Sequence, residues 1–198
     1  MLNIHTLPGD IHGLIFDCDG TLVDTPPVYA RAWAAGLRLS GREITPEWYF
    51  ARAGMSEHVL MEQFETEFGI PLRRQEVIRI MRTAFIEELS RLEEITAITS
   101  VARENHGRLP MAVASGGSRA IVTATLDVTG LKLLFNAVVT IDDVGRAKPE
   151  PDLFLEAARR IGVPPEHCLV FEDGREGLEA AHRASMRAVD VLAVLRQD

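Results

Sequence analysis

Reactive side chains stand in four short segments of the sequence, and each segment comes after an apolar run. The segments are Asp17-Cys18-Asp19-Gly20, Ser115-Gly116-Gly117, Lys148-Pro149 and Glu172-Asp173-Gly174. They combine carboxylates, a hydroxyl group and an ammonium group. This combination suits phosphoryl transfer, which needs an in-line nucleophile, neutralised phosphoryl oxygens and a proton for the leaving oxygen.

The two aspartates of the first segment can divide this chemistry between them. A carboxylate at Asp17 can attack the phosphorus and form an aspartyl phosphate that water later hydrolyses. Asp19 is then suited to act as general acid on the leaving oxygen and afterwards as general base. Because the chain leaves its strand near this point, a loop must aim the second carboxylate at the leaving oxygen.

A cation is expected beside these groups, because close carboxylates and a phosphate dianion repel one another. Mg²⁺ fits, since it prefers a few carboxylates together with phosphate oxygen and water. We expect Asp17 and Asp173 to be side-chain ligands of the metal. Glu172 is either a further ligand or a partner of the ligands, and Lys148 supplies the remaining positive charge.

The phosphoryl oxygens need hydrogen-bond donors as well. Ser115 and the backbone amides of Gly116 and Gly117 stand just before a predicted helix, where free N–H groups favour anions. We therefore expect this segment, together with Lys148, to hold the phosphoryl group.

Five apolar runs position these segments, and we interpret them as strands. They cover residues 11–17, 111–115, 137–141, 168–172 and 187–192. Helices are predicted from Ser118, Pro151 and Gly174, and such alternation is typical of a parallel sheet covered by helices on both faces. Since ligands bind beyond the carboxyl ends of such strands, the four reactive segments should converge at that edge.

The region between the first strand and the rest has a different pattern. Thr25-Pro26-Pro27 is a plausible helix start, Ser56 can cap a second helix, and helical spacing of apolar residues continues from about Leu72 to Leu92. The predicted domains are an α/β core of residues 1–25 and 93–198 and an inserted all-helical cap of residues 26–92.

Composition limits the possible partners. A net charge of -8 argues against binding nucleic acid or an anionic membrane, because both need a basic field. No apolar run approaches the roughly 18 residues of a membrane span, and we expect a cytoplasmic protein. Cys18 and Cys168 lie in apolar runs and are interpreted as core residues.

The four segments resemble, in order, the four motifs of haloacid dehalogenase-type phosphotransferases. The stretch from Asp17 to Thr25 is similar to the first motif and Ser115 to the second. Lys148 in Ala-Lys-Pro-Glu-Pro is similar to the third, and Phe171-Glu172-Asp173-Gly174 to the fourth. The resemblance covers the whole chain and is closest to the β-phosphoglucomutase-like branch, and within it to small sugar-phosphate phosphatases.

This resemblance implies a three-layer, Rossmann-like core with a helical cap and a Mg²⁺ cofactor to which Asp19 gives its backbone carbonyl. It further implies a phosphatase that acts on a small phosphomonoester such as a sugar or polyol phosphate, with Asp17, Asp19 and Lys148 as catalytic residues. We expect a monomer or a weak homodimer.

Related chemistries differ in a few residues. Haloacid dehalogenases lack the second aspartate, because a halide needs no proton, so Asp19 argues against dehalogenation. Phosphonatases use a cap lysine, and residues 26–92 contain none. A sugar-phosphate mutase is the main alternative, but mutases carry His and Arg where this chain has Tyr29 and Glu57, and an acid would oppose a second phosphate. A regulatory protein without turnover is a remote alternative, since the motif residues are all present.

The inserted helices should discriminate between leaving groups, because the core motifs handle only the phosphoryl group. The best-placed candidates are Arg52, Met55, Ser56, Glu57 and His58. The aromatic residues Trp33, Trp48, Tyr49 and Phe50 are expected to form the core of the cap.

Overall fold

The computed structural model describes residues 7–196 and contains a five-stranded, fully parallel sheet with the order β3-β2-β1-β4-β5. Its strands are β1 Gly13–Phe16, β2 Met111–Ser115, β3 Ala137–Thr140, β4 Cys168–Glu172 and β5 Arg187–Asp190. All five lie where apolar runs predicted them. The last predicted strand is too long, because the Asp190 side chain accepts a hydrogen bond from the Ala193 amide, 3.0 Å away, and so caps a short helix, α9 (Val191–Leu195).

Helices cover both faces of this sheet. Leu14 and Phe16 of β1 pack on the side of α5 (Thr96–Asn105), α6 (Arg119–Val128) and α9. Ile15, between them, packs on the opposite side against α7 (Asp152–Ile161) and α8 (Arg175–Arg183). This alternation follows from the two-residue period of a strand. The predicted three-layer α/β fold is therefore confirmed, although α5 was missed as a separate helix.

The inserted region consists of α1 (Pro26–Leu37), α2 (Pro46–Phe50), α3 (Glu57–Phe68) and α4 (Arg74–Glu87). Its helices enclose an apolar cluster of their own, which also receives Ile121 from α6. Ser56 caps α3 as predicted, with its hydroxyl 3.5 Å from the Val59 amide. The Thr25 side chain makes no such capping bond to α1.

Two aromatic predictions differ in outcome. Trp33 and Tyr49 are buried, and Trp48 packs against the same cluster. Phe50 is 47% exposed, so its assignment to the cap core was wrong. It is the last residue of α2, a five-residue helix that the sequence did not predict and in which only Tyr49 is buried.

Two segments of the chain connect the inserted helices to the α/β core, and they lie side by side. Val23 and Glu94 form an isolated antiparallel bridge, and the Asp24 amide donates to the Glu93 carbonyl over 2.9 Å. The first six and last two residues of the predicted core lie outside the described residues. None of the helices between residues 7 and 196 is long and apolar enough to cross a membrane.

Candidate active site

The carboxyl ends of the central strands carry most of the predicted site residues. Asp17 follows β1 directly, and its amide donates to the Phe171 carbonyl of β4 over 2.9 Å. Ser115 ends β2 and Glu172 ends β4, the two strands that flank β1. The parallel register therefore brings three separate motifs to one edge of the sheet, as predicted.

Lys148 lies between two of these carboxylates. Its Nζ is 2.6 Å from Asp17 Oδ1 and 2.7 Å from Glu172 Oε2, and its side chain is only 9% exposed. Burial alone would lower the pKa of Lys148, but Asp17 and Glu172 raise it above its usual range. The ammonium group is therefore charged and is held directly beside the predicted nucleophile.

Three carboxylates form a compact acidic group next to this lysine. Oxygen atoms of Asp17, Glu172 and Asp173 all lie within 4.8 Å of one another, and the Thr21 hydroxyl donates to Asp173 Oδ1 over 3.0 Å. Burial, followed by the charge of Asp17, raises the pKa of Asp173 to about 7. A hard divalent cation fits this all-oxygen set, because it would offset the excess negative charge that Lys148 alone does not balance.

Glu172 has partners for both carboxylate oxygens. Oε2 accepts from Lys148, and Oε1 accepts from the Gly174 amide over 2.9 Å. Burial, followed by repulsion from Asp17, raises the pKa of Glu172, although Lys148 opposes that shift. The contacts with Lys148 and the place of Glu172 in the acidic group are compatible with both roles that the sequence left open.

The second aspartate of the first motif contacts the second motif. Asp19 Oδ2 accepts from the Ser115 hydroxyl over 3.0 Å, and the Gly117 amide donates to the same hydroxyl oxygen, also over 3.0 Å. Burial and then the charge of Asp17 raise the pKa of Asp19 to about 6. An acid with this pKa is protonated in a useful fraction of molecules near neutral pH, as a general acid must be.

One oxygen of this aspartate has no partner. Asp19 Oδ1 is buried and lies outside hydrogen-bonding geometry with every group among residues 7–196. The hydroxyl of Thr25 is close enough to lower the pKa of Asp19, but it is likewise unpartnered. The unsatisfied oxygen is where a leaving-group oxygen or an attacking water would be expected.

Glycines without a side chain make room for two of the carboxylates. Gly20 has a φ of +81°, and a Cβ there would overlap Asp173. In α8, a Cβ on Gly177 would come closer than 3.0 Å to the Glu172 carboxyl carbon and both its oxygens. Neither Gly177 nor Thr21 was predicted as a site residue. The sequence signal was weak, because a glycine in a helix has no visible partner until the strand before it is placed.

The five cap candidates are held by other cap residues to different extents. The Arg52 guanidinium donates to the Trp48 carbonyl and to Glu67, over 2.8 and 2.6 Å, and lies over the Trp48 ring. His58 is hydrogen bonded to Arg74 over 2.9 Å. The structure thus accounts for these two side chains by contacts inside the cap and shows none to the carboxylates. Ser56 caps α3, and Met55 is half-buried.

Glu57, the fifth candidate, forms a two-pronged ion pair. Its two oxygens accept from Nε and Nη2 of Arg82 on α4, over 3.0 and 2.9 Å. This geometry is the strongest form of a carboxylate–guanidinium contact. Arg82 was not predicted, because no local pattern links residues on two separate helices.

Comparison with known proteins extends these observations. The family model of the haloacid dehalogenase-like hydrolases matches residues 11–185. The chain belongs to this family. Within it, the chain is 36% identical over 189 residues to the fructose-1-phosphate phosphatase YqaB of Escherichia coli, covering 90% of this chain and 95% of the relative. Hexitol phosphatase A of Escherichia coli is 30% identical over 187 residues, covering 91% and 83% of the two chains.

Two solved structures have a similar fold. A hydrolase from Pseudomonas syringae superposes with a TM-score of 0.80 at 26% identity, covering 89% of this chain and 83% of that one. CbbY from Rhodobacter sphaeroides, in complex with phosphate, gives a TM-score of 0.79 at 24% identity over 90% and 84% of the chains. The second likeness shows the fold alone.

Proposed function

We propose that this hydrolase is a Mg²⁺-dependent phosphatase that releases phosphate from a small sugar or polyol phosphate. The observation that carries the proposal is the convergence of Asp17, Asp19, Ser115 and Lys148 at one edge of the sheet, with Asp17 held beside a buried ammonium group. Two relatives of nearly the same length, a fructose-1-phosphate phosphatase and a hexitol phosphatase, support the substrate class.

The first step forms a bond from an Asp17 oxygen to phosphorus and breaks the bond from phosphorus to the leaving oxygen. Asp19 gives its proton to that oxygen, so that the leaving group departs as an alcohol. Lys148 and the Ser115 segment neutralise and hold the phosphoryl oxygens. In the second step Asp19, now ionised, takes a proton from water, and the water oxygen displaces the Asp17 carboxylate from phosphorus.

Mg²⁺ would be held by the carboxylates of Asp17 and Asp173 and the backbone carbonyl of Asp19. When bound, it supplies the charge that lets a dianionic phosphoryl group approach these acids. We assign to Glu172 the role of keeping Lys148 charged and oriented toward Asp17. Both oxygens of Glu172 accept hydrogen bonds, one from Lys148 and one from the Gly174 amide.

Hydrolysis is favoured over the mutase alternative by the cap. A mutase must bind a second phosphate, and a cation in the cap is the usual way to do so. The position at which mutases carry Arg is Glu57 in this chain, and Glu57 engages the guanidinium group of Arg82 at two nitrogens. The pair has no net charge to offer a second phosphate.

The test is a phosphate-release screen of the purified protein on sugar, polyol and nucleotide monophosphates, with and without Mg²⁺. We expect release that depends on Mg²⁺ and is highest for sugar or polyol phosphates. If ³¹P NMR showed conversion of a sugar 1-phosphate to its 6-phosphate without release of phosphate, the protein would be a mutase instead. No release from any substrate, with the protein folded, would favour the non-catalytic reading.

Three further predictions from the sequence belong to this proposal. Residues 26–92 act as the cap over the core of residues 1–25 and 93–198. The protein works in the cytoplasm, as a monomer or weak homodimer. Nucleic acid is not among its partners.

A further inference from the structure

Two tyrosines of the inserted helices lie next to each other. Tyr29 is on α1 and Tyr49 on α2, and their rings stack with centroids 6.2 Å apart and planes inclined by 24°. Tyr29 also packs on Phe85, at 4.4 Å between ring centroids. Tyr49 is only 6% exposed. The rings are therefore fixed by packing, and their hydroxyl groups cannot move far.

Neither hydroxyl has a hydrogen-bond partner among residues 7–196. Tyr29 is half-buried, and neither phenol oxygen is among the fully buried atoms that lack a partner, so both hydroxyl groups reach solvent. A tyrosine that served only to fill the cap core could be replaced by phenylalanine at no cost in polar groups. Two adjacent phenols that reach solvent and have no partner within the chain are available to bind a ligand from outside it.

The position of Tyr29 shows which way these groups face. Its amide donates to the Thr25 carbonyl over 2.9 Å, so the two residues are one turn apart and share a side of the helix. Thr25 is the residue whose hydroxyl influences Asp19. Burial, and after it the charge of Asp19, raises the pKa of Tyr29 and of Tyr49. The backbone gives the same location, because Asp19 and Val23 form an isolated bridge just before Thr25, Tyr29 follows one turn later, and Tyr49 stacks on Tyr29.

The Glu57–Arg82 pair is near enough to Tyr29 for their charges to interact. Glu57 contributes to the raised pKa of Tyr29, and Tyr29 in turn influences Arg82. Since the Glu57–Arg82 pair is neutral as a whole, these residues together with Tyr29 and Tyr49 offer phenolic hydroxyl groups but no net charge. A phenol can both donate and accept, which matches the hydroxyl groups of a sugar or polyol.

We propose that Tyr29 and Tyr49 are specificity-determining residues that hydrogen bond the hydroxyl groups of an uncharged, polyhydroxylated leaving group. The inference rests on the proposed phosphatase function and assigns leaving-group recognition to α1 and α2 rather than to residues 52–58. Removing one hydroxyl should lower kcat/KM for such a substrate by roughly 2- to 10-fold, the usual effect of one neutral hydrogen bond.

The experiment compares Tyr29→Phe, Tyr49→Phe and the double variant with the wild type on two substrates. One is the best sugar or polyol phosphate of the screen, and the other is phenyl phosphate, whose leaving group carries no further hydroxyl. Trp48→Phe is the matched control, because it removes a polar atom from an aromatic residue of α2 that contacts Glu67 instead. Circular dichroism melting shows whether each variant remains folded.

We expect losses on the sugar or polyol phosphate only, larger in the double variant, and no selective loss in Trp48→Phe. Equal losses on both substrates would assign the phenols to Asp19 and overturn the inference. Unchanged kcat/KM on both substrates would show that the two tyrosines serve only in packing, and this result would overturn the inference as well. A wild type that cleaved phenyl phosphate but no sugar or polyol phosphate would refute the proposed substrate class, and this inference with it.

Discussion

Replacing Gly177 by alanine tests whether Glu172 positions Lys148. The Glu172 carboxylate lies directly over Gly177, between the Gly174 amide at 2.9 Å and Lys148 Nζ at 2.7 Å. An alanine Cβ would come closer than 3.0 Å to the carboxyl carbon and both oxygens, so the carboxylate must move. Lys148 would then keep Asp17 as its remaining partner and lose the group that fixes its direction.

Two opposing terms set the size of the effect. Alanine favours a helix over glycine by up to about 1 kcal/mol. Against this, displacing Glu172 costs between about 1.5–3 kcal/mol, if only its charged hydrogen bonds are lost, and about 3–5 kcal/mol, if the buried pair is fully broken. The pair is buried, with side chains 9% and 4% exposed, so solvent screening does not reduce these values much. We expect a net destabilisation of about 1–4 kcal/mol and a fall in kcat of roughly 10- to 100-fold.

The measurements are urea unfolding and steady-state phosphate release. Gly145→Ala is the control, since Gly145 is exposed and nothing lies within 4 Å of an added Cβ. In a Glu172→Ala background, Gly177→Ala should no longer lower activity and should stabilise the helix, because the obstructing carboxylate is gone. A Gly177→Ala protein as active as wild type and more stable would refute this account of Glu172.

Asp17→Asn should abolish turnover while the protein stays folded, because an amide cannot form the acyl phosphate; near wild-type phosphate release would refute the nucleophile. Asp19→Asn should slow the hydrolysis of a sugar phosphate by about 10²-fold or more. It should slow the hydrolysis of p-nitrophenyl phosphate less, since nitrophenolate needs little protonation; equal losses on the two substrates would count against the acid role. The raised pKa values of Asp19, about 6, and Asp173, about 7, exceed their ordinary value of 3.8. The folded metal-free protein thus binds more protons than the unfolded chain, and its stability should fall as pH rises from about 4 to 7. Added Mg²⁺ should raise Tm more at pH 8 than at pH 5, and equal shifts would argue against a carboxylate site. Glu57→Gln should leave Arg82 charged but less neutralised, so inhibition by a sugar bisphosphate should strengthen; an unchanged inhibition constant would contradict the neutral-pair argument.

The core of the site was predictable because strands and motifs coincide in the sequence. Apolar runs that end in Asp17, Ser115 and Glu172 identify both the strands and the residues at their carboxyl ends. Parallel pairing then requires these residues to meet, whatever the details of the loops. The same logic predicted the neighbourhood of Lys148, although not which carboxylates would hold it.

The cap was less predictable because its polar contacts join distant residues. Local sequence around Glu57 and Arg52 indicates a loop and a capped helix, but it gives no sign of Arg82 or Glu67 as partners. Phe50 failed for a related reason: a short helix decides which aromatic side chains face inward, and α2 has no hydrophobic period long enough to reveal its orientation.

The two parts of the molecule handle opposite electrostatic problems. At the sheet edge, Lys148 cannot balance the surrounding carboxylates alone, which is a suitable environment for a divalent cation and a dianionic phosphoryl group. In the inserted helices, Arg82 is neutralised and the phenols of Tyr29 and Tyr49 add no charge. A substrate with one phosphate and a neutral, hydroxyl-rich remainder satisfies both environments, whereas a second phosphate would meet no free cation among these cap residues.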